Sequence, residues 1–142
     1  MNNVRASFNK LVATLTDSGV PVIAEPSKPW QDPCYRIEWL DAEVPRGVYL
    51  ATRNVRVHIR QSDSTANADA RMDRLIRALG LGNQASLTPS NLYDYTSSPT
   101  SPPLIGTFQI ERSPRGVTVL PPPIENPQIR HLVLNLVVVY RL

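Results

Sequence analysis

A chain of 142 residues, 42% of them hydrophobic, suits one domain over residues 1–142 whose single core buries about two-thirds of the unfolded surface. One cysteine excludes a disulfide framework and a Cys-cluster metal site, and no stretch reaches the ~20 continuous apolar residues of a membrane span. The net charge of +3 is carried almost wholly by scattered Arg residues, a pattern that favours a solvated surface with interface ion pairs over a dedicated basic face for nucleic acid.

The first residues lack the apolar core of a signal peptide, which together with the lone thiol leads to the expectation of folding in a reducing cytosol. Val4, Phe8, Leu11, Val12 and Leu15 form one apolar stripe and predict a helix from about Asn3 to Ser18, stopped by Gly19 and Pro21. A proline-rich connection carrying Trp30 follows. Tyr35, Ile37 and Trp39 alternate with Arg36 and Glu38 as a short strand, and Asp41 to Gly47 reads as a loop. A second strand runs from about Val48 to Arg60, with Val55, Val57 and Ile59 on one face and Arg56, His58 and Arg60 on the other.

Ser62 to Thr65 supply capping residues for a second helix ending near Leu79, with Ala68, Met72, Leu75, Ile76 and Leu79 as its stripe and Gly80 and Gly82 closing it. Residues 83–103 are polar, without apolar periodicity, and are expected to be a long loop or interaction arm. Strands are predicted from Ile105 to Arg112 and from Val117 to Leu120, separated by a turn at Ser113 to Gly116. Fourteen prolines, about twice the average share, mark the stretches between elements as connections. No internal sequence repeat is visible.

The final segment, Ile129 to Leu142, is the longest patterned stretch. Every even position from Leu132 is apolar, and Val137 and Val139 make the odd positions apolar too. It predicts a long strand whose far half is covered on both faces, tied into a sheet centre or against another subunit. Short connections make neighbouring strands antiparallel, so the expected class is α+β, an antiparallel or mixed sheet with two helices on one face.

Catalytic signatures are absent from the sequence: no nucleophile elbow, no phosphate-cradling glycine loop, no paired-His metal helix. His58 and His131 read as solvated or cross-strand-paired residues, Cys34 as a structural thiol with nothing near it in sequence to activate it, and Glu38 and Glu111 as solubilising carboxylates that could meet across the sheet. No enzyme activity, cofactor or metal is expected. Tyr93, Tyr95 and Trp30 are candidate interface residues, because amphipathic aromatics and Arg are favoured where partners meet.

The amphipathic N-terminal helix, the strand pair, the central helix ending Arg77-Ala78-Leu79-Gly80 and the long apolar C-terminal strand resemble the tail terminator (tail completion) proteins of long-tailed bacteriophages. The resemblance covers most of the chain and lies in size and element order, without a diagnostic motif. It implies a tail-terminator-like fold and a non-enzymatic virion subunit, assembled in the host cytoplasm. Copies would form a homo-hexameric ring on the head-proximal end of the tail tube, halting tube polymerisation and offering the other face to the head-tail connector or neck protein. The 83–103 segment and the proline-rich connections depart from the plainest pattern, and are expected to reach tube, sheath protein or connector. Where DNA passes through such a ring without sequence readout, the outward alternation of Arg56 and Arg60 makes them candidates for the lumen. The rival readings are another neck or head-completion subunit and a small basic nucleic-acid-binding module.

Overall fold

The computed structural model describes residues 2–16, 20–25, 27–31, 33–40, 43–61, 65–81, 89–97, 100–111, 116–125 and 128–141. Helix α1 (Asn2–Leu15) leads through β1 (Val22–Ile23), β2 (Cys34–Trp39), β3 (Val44–Arg46) and β4 (Leu50–Gln61) to helix α2 (Thr65–Ala78). Strands β5 (Ser90–Tyr93), β6 (Leu104–Ile110), β7 (Val117–Leu120) and β8 (Arg130–Arg141) complete the chain. The eight strands form one mixed sheet in the order β1-β2-β4-β8-β6-β5, with β3 added to β4 and β7 to β8. Only the β1–β2 pair is parallel; the fold is α+β, as the sequence predicts.

The sheet is built on β4 and β8, which pair antiparallel over twelve residues from Leu50↔Arg141 to Gln61↔Arg130. Each is flanked on its outer side by a strand broken in two. β2 and β3 lie end to end along β4, and β6 and β7 end to end along β8. At the second break the Glu111 amide donates to the Asn135 carbonyl while the Asn135 amide donates to that of Gly116, so one residue of β8 spans the whole excursion. Buried Asn135 also donates from its side chain to the same Gly116 carbonyl and to the Thr118 hydroxyl, which satisfies its own amide away from water. Although the sequence shows no repeat, one helix followed by four strands occurs twice in succession.

Alternation sorts the ribbon into two faces. Val55, Val57 and Ile59 lie opposite Leu136, Leu134 and Leu132, and both helices close over this side. Phe8 of α1 sits edge-on between Trp39 and Phe108, with ring centroids 5.6 and 5.5 Å away. Trp39 anchors the same turn from the sheet by donating its indole N–H to Asn9 at 3.0 Å. The predicted stripe of α2 is buried in full. Gly80 takes φ +76°, and the Gly80 and Leu81 amides bond back to the Arg77 and Ile76 carbonyls, an end that seals the helix with Leu81 against the core. The proposed stop at Gly19 and the caps at 62–64 lie outside the described residues.

Three short strands depart from expectation. β3 falls within the predicted loop, β1 within the proline-rich connection, and β5 within the 83–103 arm. In β5 only Leu92 is buried, so no period-2 apolar pattern announces it; the strand is held by pairing with β6. β3 contains Pro45 and is exposed throughout, as proline allows only at an edge. The covering of β8 is also the reverse of the sequence reading. Its odd positions are buried in the near half (His131, Val133, Asn135) and only part-buried at Val137 and Val139. In that near half Trp30, from the segment before β2, packs on His131, and Asn135 is engaged by Gly116 and Thr118.

Candidate functional site

That segment is pinned by Arg36, whose guanidinium donates to the carbonyls of Lys28 (2.9 Å) and Glu25 (3.3 Å). It delivers Trp30 onto the helix-free face of the sheet. Two guanidinium groups lie over the indole, Arg36 at 4.6 Å and Arg60 at 5.0 Å from the ring centroid. Its edges meet His58 and His131, with centroids 5.3 and 5.1 Å away.

Beneath Trp30 the two histidines are bonded to each other. His58 Nδ1 lies 2.9 Å from His131 Nε2, and His58 Nε2 lies 3.1 Å from the Glu38 carboxylate. A carboxylate only accepts, so Nε2 of His58 carries the proton, Nδ1 accepts, and Nε2 of His131 donates. The chain Glu38–His58–His131 is therefore satisfied with both rings neutral. Burial is the main force on both rings. It holds the pKa of His58 below the ordinary value and lowers that of His131 to about 4, where neighbouring His58 and Arg60 also disfavour a second charge.

The sign of the pH effect follows. The folded chain binds fewer protons than the unfolded chain between pH 6.5 and about 4, so stability falls as pH drops through that window. For His131 the loss is of order 2–3 kcal/mol by the linkage relation. Urea midpoints should fall from pH 7 to pH 4.5, and the double substitution His58→Gln/His131→Gln should flatten that slope; an unchanged slope would show that the pair does not set it. Glu111, raised by burial, works in the opposite direction, which makes the difference between the two proteins the informative quantity. Asp94 adds a separate loss at more acid pH. Its carboxylate accepts from Thr96, Ser7 and Asn3, tying α1 to the turn after β5, and the Thr96 bond foremost holds its pKa low.

The predicted site residues fall in two separate places. Trp30, Arg56 and Arg60 share the helix-free face. Arg60 is buried beside Trp30, however, so of the two proposed lumen residues only Arg56 presents itself to solvent, 3.8 Å from Glu38. Glu38 and Glu111 do not meet: Arg56 and Asn135 lie between them across the sheet. Tyr93 and Tyr95 are part-buried, packed edge to face at 6.3 Å beyond the opposite end of the ribbon from Trp30. Cys34 is buried. Among the described residues no three His, Cys, Asp or Glu side chains are placed to hold a metal, and no helix is long and apolar enough to cross a membrane.

The most exposed apolar side chains belong to residues that the sequence reading did not select. β3 and β4 form a hairpin whose tip carries Val48 (80% exposed) and Tyr49 (74%), with Val44 and Leu50 beside them. Gly47 turns the chain there with φ +78°. Leu104 lies at the same end of the sheet, where a groove of about 610 Å³ runs between Val4, Leu104, Val139 and Tyr140. The signal was present: three apolar residues, Val48 to Leu50, directly after Pro45-Arg46-Gly47, where a solvated loop would be polar. The other end, where β7 passes into β8 through Pro121 to Pro123, exposes Val119 and Ile124 (99%). No protein-family model matches the chain, and no curated protein matches it in sequence.

Proposed function

We propose that this chain is a non-enzymatic subunit of a phage virion that assembles with itself into a ring. The ring caps the head-proximal end of the tail tube and joins it to the neck. The observation that carries the self-assembling part is the apolar hairpin tip. Isolated exposed apolar residues are ordinary, but Val44, Val48, Tyr49 and Leu50 adjoin one another on a single projection, the mark of a contact surface. The tail-tube and neck partners come from the resemblance in size and element order. The Glu38–His58–His131 chain fits a structural part in this reading, because its hydrogen bonds are closed and Trp30 packs against its two buried histidines.

Particle mass in solution and electron microscopy of tail ends test the reading: a closed ring seated on the head-proximal end of tails is expected, and tail ends without it would overturn it. Val48→Asp with Tyr49→Asp should leave the fold intact, since both side chains are exposed, and weaken self-association by at least tenfold, the effect of losing an aromatic anchor. Sedimentation equilibrium checks this.

Aromatic stacking with Arg36 and Arg60 on one sheet face favours a second reading, a module that binds nucleic acid. It is the weaker one, because Glu38 offsets Arg56 and Arg60 is buried. Salt-sensitive retardation of DNA by the isolated monomer would support it.

A further inference from the structure

Exposed apolar surface on this chain is divided between the two ends of the β4–β8 ribbon. Leu50, the base of the hairpin tip, pairs with Arg141 at one end; Arg130, beside the β7 segment, pairs with Gln61 at the other. Eleven steps at about 3.3 Å place the ends roughly 36 Å apart. The second end holds a groove of about 300 Å³ between α2 and β7, where Met72, Val117, Val119 and Leu132 share the lining with Asp69, Asp73 and Arg130. Asp69 is engaged by Arg130 at 3.3 Å.

We infer that copies of this chain join head to tail, the Val48–Tyr49 tip of one seating in the α2–β7 groove of the next. Three observations support this over a two-fold contact of tip against tip. A two-fold contact through the hairpin end covers one apolar patch and leaves Val119 in water; a head-to-tail contact covers the tip and Val119 together. Charge points the same way. The tip carries exposed Arg46, and the groove beside it on the same end is bordered by Arg141, with Glu43 bonded to Tyr140 as a nearby carboxylate, so a two-fold contact would gather an excess of positive charge. The α2–β7 groove offers Asp73 instead, Asp69 being engaged by Arg130 at its border. Finally, the tip is narrow, with three residues joining β3 to β4, and the groove is correspondingly small. A contact between two different surfaces is also what a closed ring of more than two copies requires, so the inference rests on the self-assembling part of the proposed function.

Single cysteines placed at exposed positions decide the matter on the full-length chain. Val48→Cys and Val119→Cys proteins are mixed at high concentration and treated with a short bis-maleimide; buried Cys34 stays out of reach. The expected result is a cross-linked dimer from the mixture, little product from either protein alone, and a ladder of higher species from the chain carrying both cysteines. Asp73→Arg in the Val119→Cys partner should reduce the dimer several-fold, and Arg46→Asp in the other should restore it. A dimer of Val48→Cys with itself, or no product from the mixture, overturns the head-to-tail contact. The wider reading fails separately: a ladder that forms while rings never appear on tail ends leaves the contact standing and removes the tail-terminator function.

Discussion

Phe8→Ala should lower the free energy of unfolding by about 3–5 kcal/mol, the range for removing a fully buried aromatic ring. Phe8 has no exposed surface, and its ring is the contact by which α1 reaches both flanks of the sheet at once, Trp39 on β2 and Phe108 on β6. Each edge-to-face contact adds about 0.5–1.5 kcal/mol beyond area burial, and truncation removes both. Neither partner can collapse into the space. Trp39 is held by its bond to Asn9 and lies near the Arg5 and Arg53 guanidinium groups, while Phe108 is fixed by its pairing with Val138. Total stabilities of domains this size are about 5–15 kcal/mol, so this one change removes a large fraction. Urea titration checks it, with exposed Lys10→Ala as the control expected within about 0.5 kcal/mol. A loss under 1 kcal/mol for Phe8→Ala would mean that α1 does not depend on the ring.

The second large effect belongs to a glycine. Gly106→Ala should destabilise by about 1–3 kcal/mol, although alanine in place of glycine inside a strand is ordinarily neutral or helpful. A Cβ at Gly106 would stand 2.5 Å from the Val139 carbonyl oxygen and 3.2 Å from the Tyr140 Cβ. The first of these is backbone in the central strand and cannot swing aside. The position coincides with the irregularity where β5 changes register, Leu92 opposing Gly106 while Tyr93 opposes Leu104. Glycine there lets β6 approach β8 closely as the edge strand slips by a residue. Thermal unfolding should show a lower midpoint for Gly106→Ala, and an unchanged or raised midpoint would show that β6 can move outward at no cost.

What the sequence revealed follows from how much each element buries by itself. α1, α2, β2, β4 and β8 carry full apolar stripes or alternations, and each appears where its pattern places it, within two or three residues. β1, β3 and β5 bury one side chain or none, and exist because a longer neighbour offers a free edge; no local pattern encodes them. The covering of β8 was misjudged for a related reason. Its apolar odd residues suggested shelter for the far half, yet the cover comes from Trp30, 101 positions upstream of His131, and it falls on the histidines. His58 and His131 were legible as a cross-strand pair. That they would be buried, neutral and closed onto Glu38 was not, since this depends on the diagonal offset between β4 and β8 and on the lid above them. The hairpin tip was legible in principle, as apolar residues where a turn should be polar.

The mutual pairing of β4 and β8 has a further consequence, for how the chain reaches its native state. Their bonded partners stand between 69 positions apart (Gln61 and Arg130) and 91 apart (Leu50 and Arg141). Loop closure on that scale must precede most of the native contacts, which places the chain among slow folders with millisecond-to-second kinetics. During synthesis the first helix and its four strands emerge as a unit whose principal strand has one side open until the last strand is made. In that interval the open side is a template for any matching strand, including that of a neighbouring nascent copy, so chaperone dependence and strand exchange between chains are the natural hazards of this architecture.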